Sequence, residues 1–210
     1  MPELPERVSS ALERARLAGF EMSCDRAVGE LLALLAAAVP QGGRILELGT
    51  GSGVGLAWLV TGIGARTDVR LVSVDIDREL QESTRGAGWP GFVEFRLEDG
   101  AKVVESSGHF DLIFADAPGG KLTGLDAAID ALTHGGVFVV DDMDLTLHDD
   151  PDLRDALGWV RERLGGHRDL LTVELAHGSG VILAVRRVQP HVPPRESREA
   201  EERAQREAAE

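Results

Sequence analysis

The stretch ILELGTGSGVG, Ile45 to Gly55, sets glycines at four alternate positions, Gly49, Gly51, Gly53 and Gly55, directly after a short apolar run. A glycine-rich turn that follows a strand and opens a helix brings backbone close to a nucleotide-like ligand in α/β proteins. Two versions of that turn fail on spacing. The dinucleotide form needs G-x-G-x-x-G, but the sixth position is Val54 counted from Gly49 and Leu56 counted from Gly51. The triphosphate form needs G-x-x-x-x-G-K-[ST], and around Gly120–Lys121 the first glycine is replaced by Ala115 and the hydroxyl residue by Leu122.

Outward from the turn the chain alternates. Strands are expected at Arg44–Gly49, Val69–Asp77, Gly91–Asp99, His109–Ala117 and Val137–Met143. Helices are expected at Val54–Ile63, Arg78–Gly86, Ala101–Glu105 and Leu125–Leu132. Five strands separated by helices predict a parallel sheet covered on both faces, and the first, fourth and fifth are apolar enough for its centre. Upstream, residues 2–18 read as an amphipathic helix and Ala27–Val39 as a more buried one. Downstream, Pro151–Leu164 is helical, with Pro151 and the acids Asp149, Asp150 and Asp152 marking its start. DLLTVELA and GVILAVRR flank the tight turn His177–Gly180, which predicts an antiparallel pair.

The 210 residues suit one domain, and 43% hydrophobic content excludes wholesale disorder. Cys24 is the single cysteine, which excludes an intrachain disulfide or a cysteine metal cluster. No apolar run has transmembrane length and the N-terminus is unlike a signal peptide, so a cytoplasmic protein without membrane attachment is expected. The net charge is −14, of which the stretch from His191 to Glu210 supplies −2. Such a field repels phosphate backbones, so nucleic acid is not an expected partner, and neutral or cationic small molecules fit better. The chain divides into N-terminal helices (1–40), a core (41–188) and a charged, disordered or marginally helical tail (189–210).

Glu47 stands two residues before Gly49, an awkward place for an acid in a pyrophosphate site. It suits a ligand with cationic groups and no phosphate, such as S-adenosylmethionine (SAM). Asp75 ends the second strand, 26 residues after Gly49, near the roughly 20-residue spacing at which an acid meets ribose hydroxyls. Asp99 ends the third strand, where it either accepts from an adenine amino group or caps the following helix.

Glu47–Gly53, Asp75, Asp99, FDLIFADA and GGVFVVDDM, taken in order, resemble a class I SAM-dependent methyltransferase. Within that superfamily the chain is most similar to the catechol/caffeoyl-CoA type of O-methyltransferases, and to a bacterial group with a DDM segment after strand five. The resemblance spans about residues 20–187. It implies an α/β, Rossmann-like, doubly wound seven-stranded sheet, mostly parallel with an antiparallel last strand. It implies that Glu47, Gly49, Thr50, Gly51, Ser52 and Gly53 surround the methionine end of the cofactor. Asp75 would then hold the ribose and Ile76 also touch the cofactor, with Asp99 and Gly100 at the adenine and Asp116 near the reacting end. N-terminal helices covering the cofactor and a homodimer also follow from it.

Metal-dependent relatives hold a divalent cation with an Asp after strand four and an Asp-Asn pair after strand five. The matching residues here are Asp116, Asp141 and Asp142, hard oxygen ligands suited to Mg²⁺ or another divalent cation. Asp142 replaces the Asn, and the candidate base Lys121 comes two residues later than in the family pattern. Without a metal, Asp116 and Asp141 would orient substrate or the cofactor amine directly. His148 is either a loop base or a solvated histidine, and His134 reads as a helix C-terminal residue. Met22 and Cys24 would line the substrate entrance or pack, and Trp58, Trp89 and Trp159 read as packing residues. The expected activity is methyl transfer from SAM to a small-molecule acceptor, at oxygen. The alternatives are N-methylation of a small amine and a catalytically inactive cofactor-binding module.

Overall fold

A computed structural model describes residues 3–188 of the chain, so the tail expected at 189–210 lies outside the described residues. Two helices come first, α1 (Glu6–Ala18) and α2 (Arg26–Ala38). The core follows as β1 (Arg44–Leu48), α3 (Val54–Ile63), β2 (Arg70–Asp75), α4 (Arg78–Arg85), β3 (Val93–Leu97), α5 (Gly100–Ser106) and β4 (Phe110–Ala115). A short turn α6 (Pro118–Lys121), α7 (Leu125–Asp130), β5 (Leu132–Val140), α8 (Pro151–Gly165), β6 (Leu170–Leu175) and β7 (Val181–Arg186) complete it. The strands form one sheet in the order β3-β2-β1-β4-β5-β7-β6. β1 to β5 are parallel, and β7 runs antiparallel to both β5 and β6. The seven-stranded, mostly parallel architecture with a reversed β7 is the one expected.

Capping sets where the helices begin. Asp25, Asp77, Asp99 and Asp150 each precede a helix and accept a backbone N–H of its first turn. Four of the chain's many acids are thereby spent on helix starts. Those at Asp77 and Asp99 fix the β-strand ends that face the ligand crevice of such sheets.

The short turn α6 was not expected, and β5 ends at Val140 rather than Met143; the largest difference is at the start of β5. β5 begins at Leu132 rather than Val137, and α7 ends at Asp130. Phe110 pairs with Leu132, then the register shifts before Leu112 pairs with Val137. Gly135 (φ 82°) and Gly136 are therefore an irregularity inside the strand, where a glycine pair had read as a loop. His134 sits on this strand, its Nδ1 3.0 Å from the Arg187 carbonyl, and not at a helix end. In α1 the buried face is Val8, Ala11 and Ala15, while Leu17 points to solvent. Trp58 is buried and Trp89 donates to the Thr84 carbonyl (2.7 Å), whereas Trp159 is half-exposed and not a core residue.

α2 lies on α3 at very short range. A Cβ on Gly62 would stand 2.0 Å from the carbonyl oxygen of Ala33, and one on Gly29 would meet the Trp58 ring at 2.1 Å. The contact at Gly62 is with backbone, which cannot swing away. Gly62→Ala is expected to destabilise the chain by about 3 kcal/mol or more, read as a lower urea midpoint. An unchanged midpoint would mean that α2 is free to move off α3. No helix among the described residues is long and apolar enough to cross a membrane.

Candidate active site

A cleft of about 790 Å³ opens at the carboxyl ends of the central strands. It is bounded by the turns after β1, β2, β3, β4 and β5 and by the segment 20–25 that joins α1 to α2. That segment, rather than the two helices, reaches the cleft; the helices pack on α3. Met22 and Cys24 both line the cleft, and burial together with the nearby acids pushes the Cys24 thiol well up. It is thus a protonated, unreactive sulfur.

The glycine turn explains itself partly through the protein's own contacts. Gly49 has φ 108°, and its N–H and that of Thr50 both donate to the Val74 carbonyl. A Cβ there would lie 3.1 Å from the backbone of Asp116, so the turns after β1 and β4 touch at this point. At Gly55 a Cβ would lie 2.7 Å from Glu47 Oε1. Glycine at this fourth position makes room for a buried carboxyl, and it lines the cleft as well.

Gly49, Thr50, Gly51 and Ser52 line the cleft, as do Asp75, Ile76, Asp99, Gly100 and Asp116. Glu47 and Gly53 do not. Side chains on a strand alternate between faces. Ile45 belongs to the core cluster that includes Val54, Leu56 and Leu59 of α3, whereas Leu46 and Leu48 belong to the other. Glu47 shares the parity of Ile45 and enters the sheet–α3 interface, fully buried. Its Oε2 accepts from Ser73 Oγ (2.5 Å), Ser73 Oγ is 2.6 Å from Thr50 Oγ1, and Oε1 has no partner among the described residues. Burial raises this carboxyl to about 8, with the charge of Asp75 adding and the Ser73 hydrogen bond opposing. Gly53 turns away as well, against Thr84, Trp89 and Arg14.

Asp75 ends β2 with both carboxylate oxygens in use but not saturated. Oδ2 accepts from Gly51 N (2.7 Å) and Oδ1 from Asp77 N (2.8 Å). A carboxylate offers about four acceptor sites, so two remain for a vicinal diol. Asp99 caps α5 through Ala101 N (2.9 Å) and also lines the cleft, so both readings of it meet in one residue.

Asp116, Asp141 and Asp142 converge, with one carboxylate oxygen from each lying within 4.8 Å of the other two. Asp116 follows β4 and the other two follow β5, the neighbouring strand. Burial and the neighbouring carboxylates push Asp116 well above its ordinary value, and burial raises Asp141 to about 6. Asp142 is the one non-glycine residue with positive φ (59°) among the described residues. Gly119 and Gly120 take non-helical angles inside α6, directly before Lys121. Lys121 is buried, and its Nζ donates to the Asp141 carbonyl (3.2 Å) and to Asp142 Oδ2 (3.3 Å). Mutual repulsion among three close carboxylates, of which Asp141 is buried and the other two partly so, is what a divalent oxygen-bound cation relieves, so the donor set fits one.

His148 lines the cleft, with Nε2 2.9 Å from the Asp142 carbonyl, rather than standing free in solvent. Ser179, in the β6–β7 turn, donates to Asp141 Oδ1. Sequence reasoning passed over it, because HGSG reads only as a turn and its partner is 38 residues away.

Residues 46–143 match the family model described as a methyltransferase domain. A protein of Mycolicibacterium smegmatis assigned by name to the O-methyltransferases is 34% identical over 195 residues, covering 85% of this chain and 90% of that protein. A Corynebacterium glutamicum protein shares the fold with TM-score 0.76 at 22% identity, covering 91% of this chain and 94% of that one. The O-methyltransferase TomG of Streptomyces achromogenes, solved in complex with SAM, gives TM-score 0.71 at 26% identity, covering 89% and 92%. On the strength of the glycine turn, the sheet order and these relatives, the chain belongs to the SAM-dependent O-methyltransferases.

Proposed function

We propose that this enzyme methylates an oxygen of a small-molecule acceptor, with a divalent cation held by Asp116, Asp141 and Asp142. The observation that carries this reading is the convergence of those three carboxylates on the cleft that the glycine turn also lines. In-line transfer requires the acceptor oxygen to be aligned with the methyl carbon and its proton to be withdrawn or screened. Bound in the cleft, SAM would supply the electrophilic methyl, and the cation would lower the acceptor hydroxyl's pKa.

In this reading the backbone from Gly49 to Ser52 borders the amino-acid end of the cofactor. Asp75 accepts from the two ribose hydroxyls with its remaining lone pairs, and Ile76, Asp99 and Gly100 border the base. Lys121, already bonded to Asp142, offsets the excess negative charge of the trio and steadies the acceptor oxygen as charge develops on it. A cytoplasmic setting belongs to this reading, in keeping with a single cysteine and hence no intrachain disulfide.

Asp75→Ala is expected to weaken S-adenosylhomocysteine binding at least tenfold, through loss of charge-assisted hydrogen bonds and release of the Gly51 N–H. Titration calorimetry checks it, and unchanged affinity would contradict the ribose assignment. The reaction itself is tested with labelled SAM and a panel of hydroxylic and amine acceptors, with Mg²⁺ and after chelation. Mg²⁺-dependent label on a hydroxyl is the expected result. Label only on amines would favour N-methylation, and label on no acceptor would favour a cofactor-binding module.

A further inference from the structure

The β6–β7 turn, His177–Gly180, is wedged between two parts of the cleft wall. His177 Nε2 is 2.9 Å from the carbonyl oxygen of Ala27 in the first turn of α2. A Cβ on Gly178 would lie 2.6 Å from Asp25 Oδ1, and one on Gly180 would lie 2.4 Å from Asp144 N. The carbonyls of Ser179 and Gly180 accept from Asp144 N (3.0 Å) and Met143 N (2.9 Å). The turn therefore splints the loop that follows β5, on the side opposite β4.

One side chain of this turn reaches the site. Ser179 lines the cleft, and its hydroxyl donates to Asp141 Oδ1, which also accepts from Asp142 N at 2.7 Å. Two donors on one oxygen fix the carboxylate's rotation and leave Oδ2 as the oxygen for a further partner. Asp141 is buried (1% exposed), so no solvent competes for this arrangement. Partners behind a metal-binding carboxylate or imidazole fix its orientation, and their loss lowers metal affinity about 10–100-fold.

We propose that Ser179 is a positioning residue for the cation site, acting through Asp141 and touching neither cofactor nor acceptor. The proposal rests on the cation reading given above for Asp116, Asp141 and Asp142. Thr at this position keeps the hydroxyl, and Ala removes it while leaving the turn's backbone bonds in place.

The test is calorimetric or paramagnetic titration of Mn²⁺ alone into the full-length chain and its S179A and S179T variants. Circular dichroism and S-adenosylhomocysteine affinity are measured alongside to establish that each variant is folded. The expected result is Mn²⁺ binding by the unaltered chain, weakened tenfold or more in S179A and within threefold in S179T. S-adenosylhomocysteine affinity should stay unchanged in both. Equal Mn²⁺ affinity in folded S179A would overturn the proposal and leave the cation reading standing. Failure of the unaltered chain to bind Mn²⁺ would overturn the cation reading, and this proposal with it.

Discussion

Glu47→Gln is expected to make the protein more stable than the unaltered chain by about 2–5 kcal/mol at pH 8.5, and to leave the two alike near pH 4. The carboxyl is fully buried and its folded-state value is about 8, against an ordinary 4.5. Between those two values the unfolded chain is ionised while the native one holds its proton. Native stability therefore falls as pH rises from about 4.5 to 8, by about 1.4 kcal/mol per unit and about 5 kcal/mol in all as an upper bound. Glutamine carries no charge at any pH and keeps an acceptor for Ser73, so this loss disappears. Urea unfolding at a series of pH values checks it. A variant that is less stable at pH 8.5 would contradict a carboxyl raised this far by burial. Because this side chain lies behind the cleft wall, SAM affinity should change less than twofold.

Asp141→Asn is expected to lower methyl transfer at least 100-fold while leaving S-adenosylhomocysteine affinity within threefold. The amide oxygen can still accept from Ser179 and Asp142 N, so the geometry is retained and the charge is lost. Stability should move the other way. Asp141 titrates near 6 in the folded chain against an ordinary 3.8, chiefly through burial. Above pH 6, in the absence of metal, its ionised form costs about 3 kcal/mol, which the amide avoids. The variant should therefore melt higher than the unaltered chain in chelator at pH 7.5. The opposed signs reflect a site held at the expense of stability. Transfer assays with the best acceptor of the panel check the first part and thermal unfolding the second. Full activity in the variant would remove Asp141 from the chemistry.

The strongly patterned parts of the sequence translated directly into structure. Val54–Ile63 was bounded by the glycine turn on one side and by Gly62 and Gly64 on the other; the helix occupies those residues, with Gly64 as its cap and Gly62 inside it. The HGSG turn dictated antiparallel β6 and β7, which fixed the reversed strand and with it the sheet type. The start of β5 was hidden because Gly135–Gly136 looks the same as a loop or as a strand irregularity; only pairing with β4 decides between them. The candidate site was legible where a residue's place at a strand end is enough, as for Asp75, Asp116 and Asp141. It was not legible where side-chain direction matters. Glu47 and Leu48 are adjacent in sequence yet face opposite sides of the sheet, and only the second borders the cleft. Counting parity from Ile45 would have placed Glu47 correctly. Nothing in the sequence announces Ser179, whose role depends on a turn meeting a distant loop.

The most direct test of the account is calorimetric titration of the purified protein with SAM and S-adenosylhomocysteine, with Mg²⁺ and after chelation. Micromolar binding of both to one site per chain is the expected result, with affinity or heat that changes when Mg²⁺ is present. Absence of binding to either compound under all conditions would contradict the assignment of Gly49–Ser52 and Asp75 as a cofactor site, leaving the fold without its function.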